Sequence, residues 1–195
     1  MIFNLKTPDF ILASASPRRQ ELFSLLELNF KVQPSDVEEI HDESISPEEL
    51  VQSLSLQKAQ DVADKVSENL AVVGADTIVL LENEVLGKPK DKAEAQKMLR
   101  SLSGKTHKVF TGFTILHKTQ KIEVSEAVAT EVKFKELSDL EIESYVKTKE
   151  PMDKAGAYGI QGFGSILVEK VNGCYFNVMG FPLNRFYEAL KKIYV

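Results

Sequence analysis

Arg18 and Arg19 follow Ser14-Ala-Ser-Pro where a helix is expected to begin. Two cations in a first helical turn sit against the positive end of the helix dipole, at about 0.3–1 kcal/mol each. A purely structural sequence would place Asp or Glu there. With the unsatisfied N–H groups of that turn and the hydroxyls of Ser14 and Ser16, the segment can cradle phosphate oxygens. The plainer alternative has both arginines in solvent or paired with surface acids. Asp76 is the second anomaly, because it interrupts the apolar run Ala71-Val-Val-Gly-Ala-Asp-Thr-Ile-Val-Leu-Leu. An ionised carboxylate there needs a cation or hydrogen bonds to compensate its burial. It reads either as a metal ligand or general base, or as a hydrogen-bonded turn residue at a strand end. Gly74 and Ala75 leave room for something to approach the backbone beside it.

Lys58 lies in the series Leu50, Leu54, Lys58, Val62, close to the apolar stripe of a long helix. It either snorkels to water or projects toward a buried anion. Lys88 in Gly87-Lys-Pro-Lys and Lys154 in Asp153-Lys-Ala-Gly have rigid neighbours, and each could equally be an ordinary loop lysine. The acidic run Asp36, Glu38, Glu39, Asp42, Glu43 is by itself a solvated loop. If the arginines bind phosphates, a hard divalent cation follows, and Asp76 with one of Glu38 and Glu39 would supply its carboxylates. Residues 156–164 hold four of the chain's ten glycines. They lack the spacing of a dinucleotide fingerprint, and no P-loop motif occurs in the chain. Gln161 in this patch could read a base edge with its amide; otherwise the patch is a flexible surface loop. His41, His107 and His117 lack metal-ligand spacing, and Cys174 is read as a core residue.

The elements that must position these residues follow from periodicity and caps. A strand at Phe10–Ser14 leads to a helix with Ser16 as N-cap and Pro17 at its first position. A strand at Asn29–Val32 precedes the acidic loop, and Ser46 with Glu49 forms a capping box opening the long helix. Ala71–Leu81 and 84–87 read as a hairpin. A second box, Asp91 with Glu94, starts a helix that Gly104 ends, His107–Leu116 and Ile122–Phe134 are long strands, and Ser138 with Glu141 caps another helix. Asn172-Gly173 is expected to turn a hairpin, and Pro182 to start a closing helix. The expectation is one α/β domain over residues 1–195, with a mixed sheet flanked by helices, a hairpin-rich second lobe, and a cleft between the lobes.

Composition narrows the function classes. The chain has 195 residues, 43% hydrophobic, and 24 Lys and Arg against 29 Asp and Glu, for a net charge of −5. An acidic balance disfavours a nucleic acid polymer while leaving small anions as ligands. No window approaches the roughly 20 apolar residues of a membrane span. The opening Met1-Ile-Phe-Asn-Leu-Lys-Thr-Pro lacks a signal-peptide pattern, and one cysteine suits a reducing compartment, so a cytoplasmic protein is expected.

Ser14-Ala-Ser-Pro-Arg-Arg, Val37-Glu-Glu, Gly74-Ala-Asp-Thr-Ile-Val, Gly87-Lys-Pro and Asp153-Lys-Ala-Gly-Ala-Tyr-Gly-Ile-Gln-Gly occur in this order and resemble the Maf family of nucleoside triphosphate pyrophosphatases. The resemblance covers nearly the whole chain. It implies a cytoplasmic enzyme, often dimeric, with a fold akin to the inosine triphosphate pyrophosphatases. That enzyme would use Mg2+ or Mn2+ to hydrolyse a nucleoside triphosphate to monophosphate and pyrophosphate. On this sequence it implies Asp76 as proton acceptor and Glu39 as the second essential carboxylate, both toward the metal. Ser14, Arg18, Arg19, Lys58 and Lys88 would line the triphosphate, and Arg18, Thr77 and Gln161 would be specificity positions. Ala157-Tyr-Gly-Ile-Gln-Gly is similar to the branch acting on dTTP and UTP, with modified pyrimidine triphosphates as further candidates. Two other readings stay open: a non-enzymatic nucleotide-binding regulator of cell division, since the family name is attached to septum formation, and a purine enzyme acting on substrates such as ITP.

Overall fold

The computed structural model describes residues 6–42, 44–66 and 69–194. Glu43 of the acidic run and the opening five residues lie outside them. In chain order the regular elements are β1 (Phe10–Leu12), α1 (Pro17–Ser24), β2 (Phe30–Val32), α2 (Pro47–Lys65), β3 (Ala71–Leu81), β4 (Glu84–Leu86), α3 (Lys92–Leu102), β5 (Thr106–His117), β6 (Ile122–Phe134), α4 (Asp139–Lys147), β7 (Val168–Asn172), α5 (Tyr175–Met179) and α6 (Leu183–Tyr194). Three short 3-10 helices, Glu150–Asp153, Ala155–Ala157 and Gly162–Leu167, lie between α4 and β7. Strand order is β2-β1-β3-β5-β6-β7, with β4 paired to β3. β1 runs parallel to β2 and β3, whereas β3–β4 and β6–β7 are antiparallel. The expected α/β class with a mixed sheet is therefore the observed one. Among the described residues no helix is long and apolar enough to cross a membrane.

The chain divides into two compact units, Met1–Asp76 with Thr111–Val128 and Gly180–Val195, and Thr77–Phe110 with Ala129–Met179. In the first unit, alternation along β1 sends successive side chains to opposite faces. Phe10 joins Phe23 of α1, and Phe23 packs with Phe181 and Phe186 at ring separations of 5.7 and 5.5 Å. Ile11 and Ala13 join Ala59, Val62 and Ala63 of α2. Helices thus cover both faces of β1, which explains why Phe10, Ile11 and Leu12 are all buried.

α2 lies unusually close to the strands beneath it. A Cβ at Gly74 would fall 2.1 Å from the Ser55 carbonyl oxygen, and one at Gly112 would fall 2.3 Å from that of Val51. The space beside Asp76 that the sequence suggests is filled by this helix backbone. A chain of hydroxyls secures the approach: buried Ser55 Oγ bonds buried Thr114 Oγ1 at 2.8 Å, and Thr114 Oγ1 bonds half-buried Ser125 Oγ at 2.7 Å. The Ser46–Glu49 capping box forms reciprocally and fixes where α2 starts.

The second unit packs Val79, Leu99, Leu102, Val132, Phe134 and Tyr158 into its core. His107 is buried within it, bonded through Nε2 to Tyr158 Oη at 2.7 Å and packed edge-on to Phe134. Several expectations change here. Asp91 caps α3 by accepting from the Glu94 N–H, but the Glu94 carboxylate turns to the Lys90 N–H, so the box is half formed. The chain after Asn172-Gly173 does not return as a strand; it enters α5. Thr130 Oγ1 accepts from the Cys174 N–H, and Asn177 Nδ2 donates to Thr130 Oγ1 and the Val109 carbonyl. These tertiary bonds outweigh the local hairpin signal. Cys174 is half-buried at that bend rather than in the core.

Gly74→Ala must push α2 off the strand, and overpacking of this kind costs about 1–3 kcal/mol; urea denaturation should register at least that loss. Burial pushes the His107 pKa down from 6.5 to about 4, so between those values the unfolded chain holds a proton that the fold does not. Stability should rise with pH across that window, by up to about 3 kcal/mol. Urea titrations at pH 4.5 and 7 should give a smaller pH difference for His107→Phe than for the wild type.

Candidate active site

The acidic segment after β2 is tied along one flank of α2. Ser35 Oγ donates to Asp61 Oδ2 at 2.7 Å, and Lys65 pairs with Asp61 at 2.8 Å and also with Asp36. One turn back, Gln57 Oε1 accepts from the Ile40 N–H at 2.9 Å while Gln57 Nε2 donates to the Ile40 carbonyl at 3.1 Å. Residues 57, 61 and 65 are four apart and share a helix face. The segment read as a solvated loop is therefore laid out beside α2. That arrangement delivers Glu39 to Lys58, with Oε1 2.9 Å from Nζ, while Glu38 is exposed.

Lys58 Nζ also pairs with Asp76 Oδ1. The ammonium therefore bridges two carboxylates, one from the tied loop and one from β3. Side-chain exposure is 15% for Lys58 and 13% for Asp76, against 33% for Glu39, so the bridge is sheltered at its Asp76 end and wetter at Glu39. An ion pair at such a depth contributes little net stability, yet losing one partner would strand a poorly hydrated charge. The structure thus places Asp76 in a strand interior with a cationic partner, and not at a strand end as a turn residue.

At the start of α1, Ser16 accepts from the Arg19 N–H as the expected N-cap, with Pro17 at the first position. Arg19 does not run to solvent. Its Nε donates to the Gly180 carbonyl at 2.9 Å and its Nη1 reaches Ser14 Oγ at 3.4 Å. Burial lowers the Arg19 pKa from the ordinary arginine value; Asp76 opposes that shift, Arg18 adds to it, and Glu39 opposes it. The guanidinium is thus partly stripped of water within electrostatic reach of both carboxylates. Ser14, Arg18, Arg19, Glu39, Lys58 and Asp76 all belong to the first unit.

The remaining positions belong to the second unit. Thr77 is half-buried in β3, and Lys88 is exposed beside Gly87, whose carbonyl accepts from the Gly156 N–H at 3.0 Å. Lys154, 12% exposed, donates to Asp153 at 2.7 Å and to the Glu150 carbonyl. Gln161 is half-buried between two 3-10 helices, Ala155–Ala157 and Gly162–Leu167. The glycine patch runs from one 3-10 helix to the next, with the Gly159 N–H on Tyr145 Oη and the Phe163 and Gly164 N–H groups on Glu150. Sequence reasoning misses two participants. His41 Nε2 lies 3.5 Å from Glu39 Oε2, which only the extended course of the loop reveals. Glu150 accepts from backbone N–H groups of the patch, and its one sequence signal is the density of glycines that make room for it.

Glu39 and Asp76 are hard oxygen donors converging on one ammonium. Such a pair fits Mg2+ or Mn2+, which bind one or two carboxylates and complete their shell with water and phosphate oxygens. No cluster of three or more acidic, His or Cys side chains suited to a metal occurs among the described residues.

The family model "Maf-like protein" matches residues 9–193, and the chain belongs to that family. A protein of Carboxydothermus hydrogenoformans named dTTP/UTP pyrophosphatase is 50% identical over 182 residues, 93% of this chain and 96% of its own length. Proteins of the same name are 50% identical in Bacillus anthracis, over 93% of this chain and 94% of that one, and 47% identical in Clostridium botulinum, over 93% and 97%. Among solved structures, the Ham1 protein of Staphylococcus aureus aligns with a TM-score of 0.49 and 16% identity over 82% of this chain and 79% of its own.

If Gln57 holds the tied loop in register, Gln57→Ala should speed hydrogen exchange at the Ile40 amide while amides of the α2 core stay protected. Exchange measured by mass spectrometry resolves the two segments.

Proposed function

Taking membership of the Maf family as the premise, we propose that this chain is a nucleoside triphosphate pyrophosphatase acting on dTTP and UTP, and on modified pyrimidine triphosphates of the same shape. The observation that carries the reading is the Asp76–Lys58–Glu39 bridge with Arg19 nearby. It combines a sheltered carboxylate, a second acid and cations, in a chain that shares about half its residues with relatives named for this reaction.

In the reaction, a water oxygen bonds to the α-phosphorus in line with the departing pyrophosphate. The bond from the α-phosphorus to the bridging oxygen breaks, and the water proton passes to Asp76 Oδ. Asp76 orients that water and takes its proton. Lys58 keeps Asp76 and Glu39 facing each other and offers its ammonium to a phosphate oxygen, and Arg18, Arg19, Ser14 and Lys88 bind the remaining phosphate oxygens. A divalent ion, held by Glu39 and Asp76, would supply neutralisation of the charge developing on the phosphates. Arg18, Thr77 and Gln161 discriminate the base. Pyrophosphate is a good leaving group once cations hold it, so positioning and electrostatics suffice and no covalent nucleophile is needed.

Incubation with dTTP, UTP and ITP in Mg2+ or Mn2+, with separation of the products, tests this directly. Monophosphate and pyrophosphate are expected from the two pyrimidine substrates first. Asp76→Asn should retain the fold by circular dichroism and lose at least about 100-fold in kcat, the scale of a positioned general base. Near-normal turnover by that variant refutes the assigned role, and nucleotide bound intact by the wild type would instead favour a regulatory protein.

A further inference from the structure

Ile160, just before Gln161, is buried, but Gly162 and Phe163 just after it are exposed, Phe163 to 65%. Polar groups from outside the patch hold this exposed half. Glu150 Oε2 accepts from the Phe163 N–H at 3.0 Å, and Oε1 accepts from the Gly164 N–H at 3.1 Å. Oε1 also accepts from the Tyr145 hydroxyl at 2.9 Å, and that hydroxyl accepts from the Gly159 N–H at 3.0 Å. Two side chains therefore hold three amides, on both sides of Gln161.

The glycines make this grip sterically feasible. A Cβ at Gly162, where φ is +63°, would lie 2.6 Å from Glu150 Oε2, and one at Gly164 would lie 2.7 Å from the Tyr145 hydroxyl. Tyr145 is buried, and that burial raises its pKa far above the ordinary tyrosine range, with the Gly159 N–H opposing and Glu150 adding to the shift. The hydroxyl keeps its proton and so donates to Glu150. Glu150 is in turn placed by its own backbone, with its N–H on Thr148 Oγ1 at 3.1 Å and its carbonyl on Lys154 Nζ.

We propose that Glu150 and Tyr145 form a clamp that sets the position of Gln161, which makes Glu150 a positioning residue for base selection. The proposal rests on the reading of Gln161 as a base-contacting residue. Glu150→Gln places an amide NH2 among N–H donors, and Tyr145→Phe removes the hydroxyl while keeping the ring in the core. Each variant is compared with the wild type in two measurements: hydrogen exchange at Gly159, Phe163 and Gly164, and kcat and KM for dTTP, UTP and ITP.

The clamp requires faster exchange at those amides in both variants while the α3 core stays protected. It also requires KM for dTTP and UTP to rise about tenfold, the loss of roughly one hydrogen bond, with kcat within about twofold and preference over ITP reduced. Unchanged exchange in both variants overturns the clamp. Faster exchange with unchanged KM and preference overturns its role in selection, as does a fall in kcat alone. Failure of the wild type to release pyrophosphate from either pyrimidine triphosphate sinks the parent reading instead, and with it the role in selection, while exchange still decides whether the clamp exists.

Discussion

The contact of the α2 backbone with Gly74 and Gly112 is the constraint on which the site depends. Helices normally stand off a sheet by the thickness of their side chains, and here two strand positions have none. The helix consequently settles until carbonyls of Val51 and Ser55 occupy the space of missing Cβ atoms, and Lys58, one turn further along, reaches Asp76 in the strand. A lysine on a helix at ordinary distance would meet the same carboxylate only by extending across an apolar layer. The buried carboxylate, which looks like an error in a hydrophobic strand, is admissible because the helix brings its counter-charge this close.

Opposite flanks of α2 perform separate tasks. Ala59, Val62 and Ala63 bury apolar surface against Ile11, Val72 and Leu116 of the strands, whereas Gln57, Asp61 and Lys65 hold the extended chain that carries Glu39. Glu39 lies in no helix or strand, and its position derives from bonds made by neighbours on both sides. The charged group is thus assembled from a strand residue held by a ladder, a helix residue held by packing, and a loop residue held by side chains. Arg19 is placed by yet another device, a backbone carbonyl at Gly180.

Much of this is legible in the order of the residues, and what is not has a physical reason. Capping boxes at Ser46–Glu49 and Ser138–Glu141, the N-cap at Ser16 and the strand from Ala71 to Leu81 are local features, and all four form as their spacing predicts. Asp76 and Lys58 stand out as violations of apolar periodicity, though nothing local says that they meet. The bend at Gly173 misleads because Asn-Gly is a strong hairpin signal, while the bonds that select a helix involve Thr130, 44 residues from Cys174 along the chain, together with Asn177. Glu150 reads as nothing but another acid, because its partners are backbone amides, which carry no sequence signature beyond the glycines that accommodate them.

The double seating of α2 also bears on how such a chain can change in length. An α-helix turns about 100° per residue, so an insertion or deletion of one residue between Ser55 and Lys58 would keep either the carbonyls on the sheet or the ammonium on its carboxylates, never both. Substitutions along the helix can be absorbed one side chain at a time, whereas a shift in register cannot. Length variation in descendants of this sequence should therefore collect in segments outside α2, such as the β3–β4 and β5–β6 turns, and the stretch from Val51 to Lys65 should behave as a ruler of fixed length.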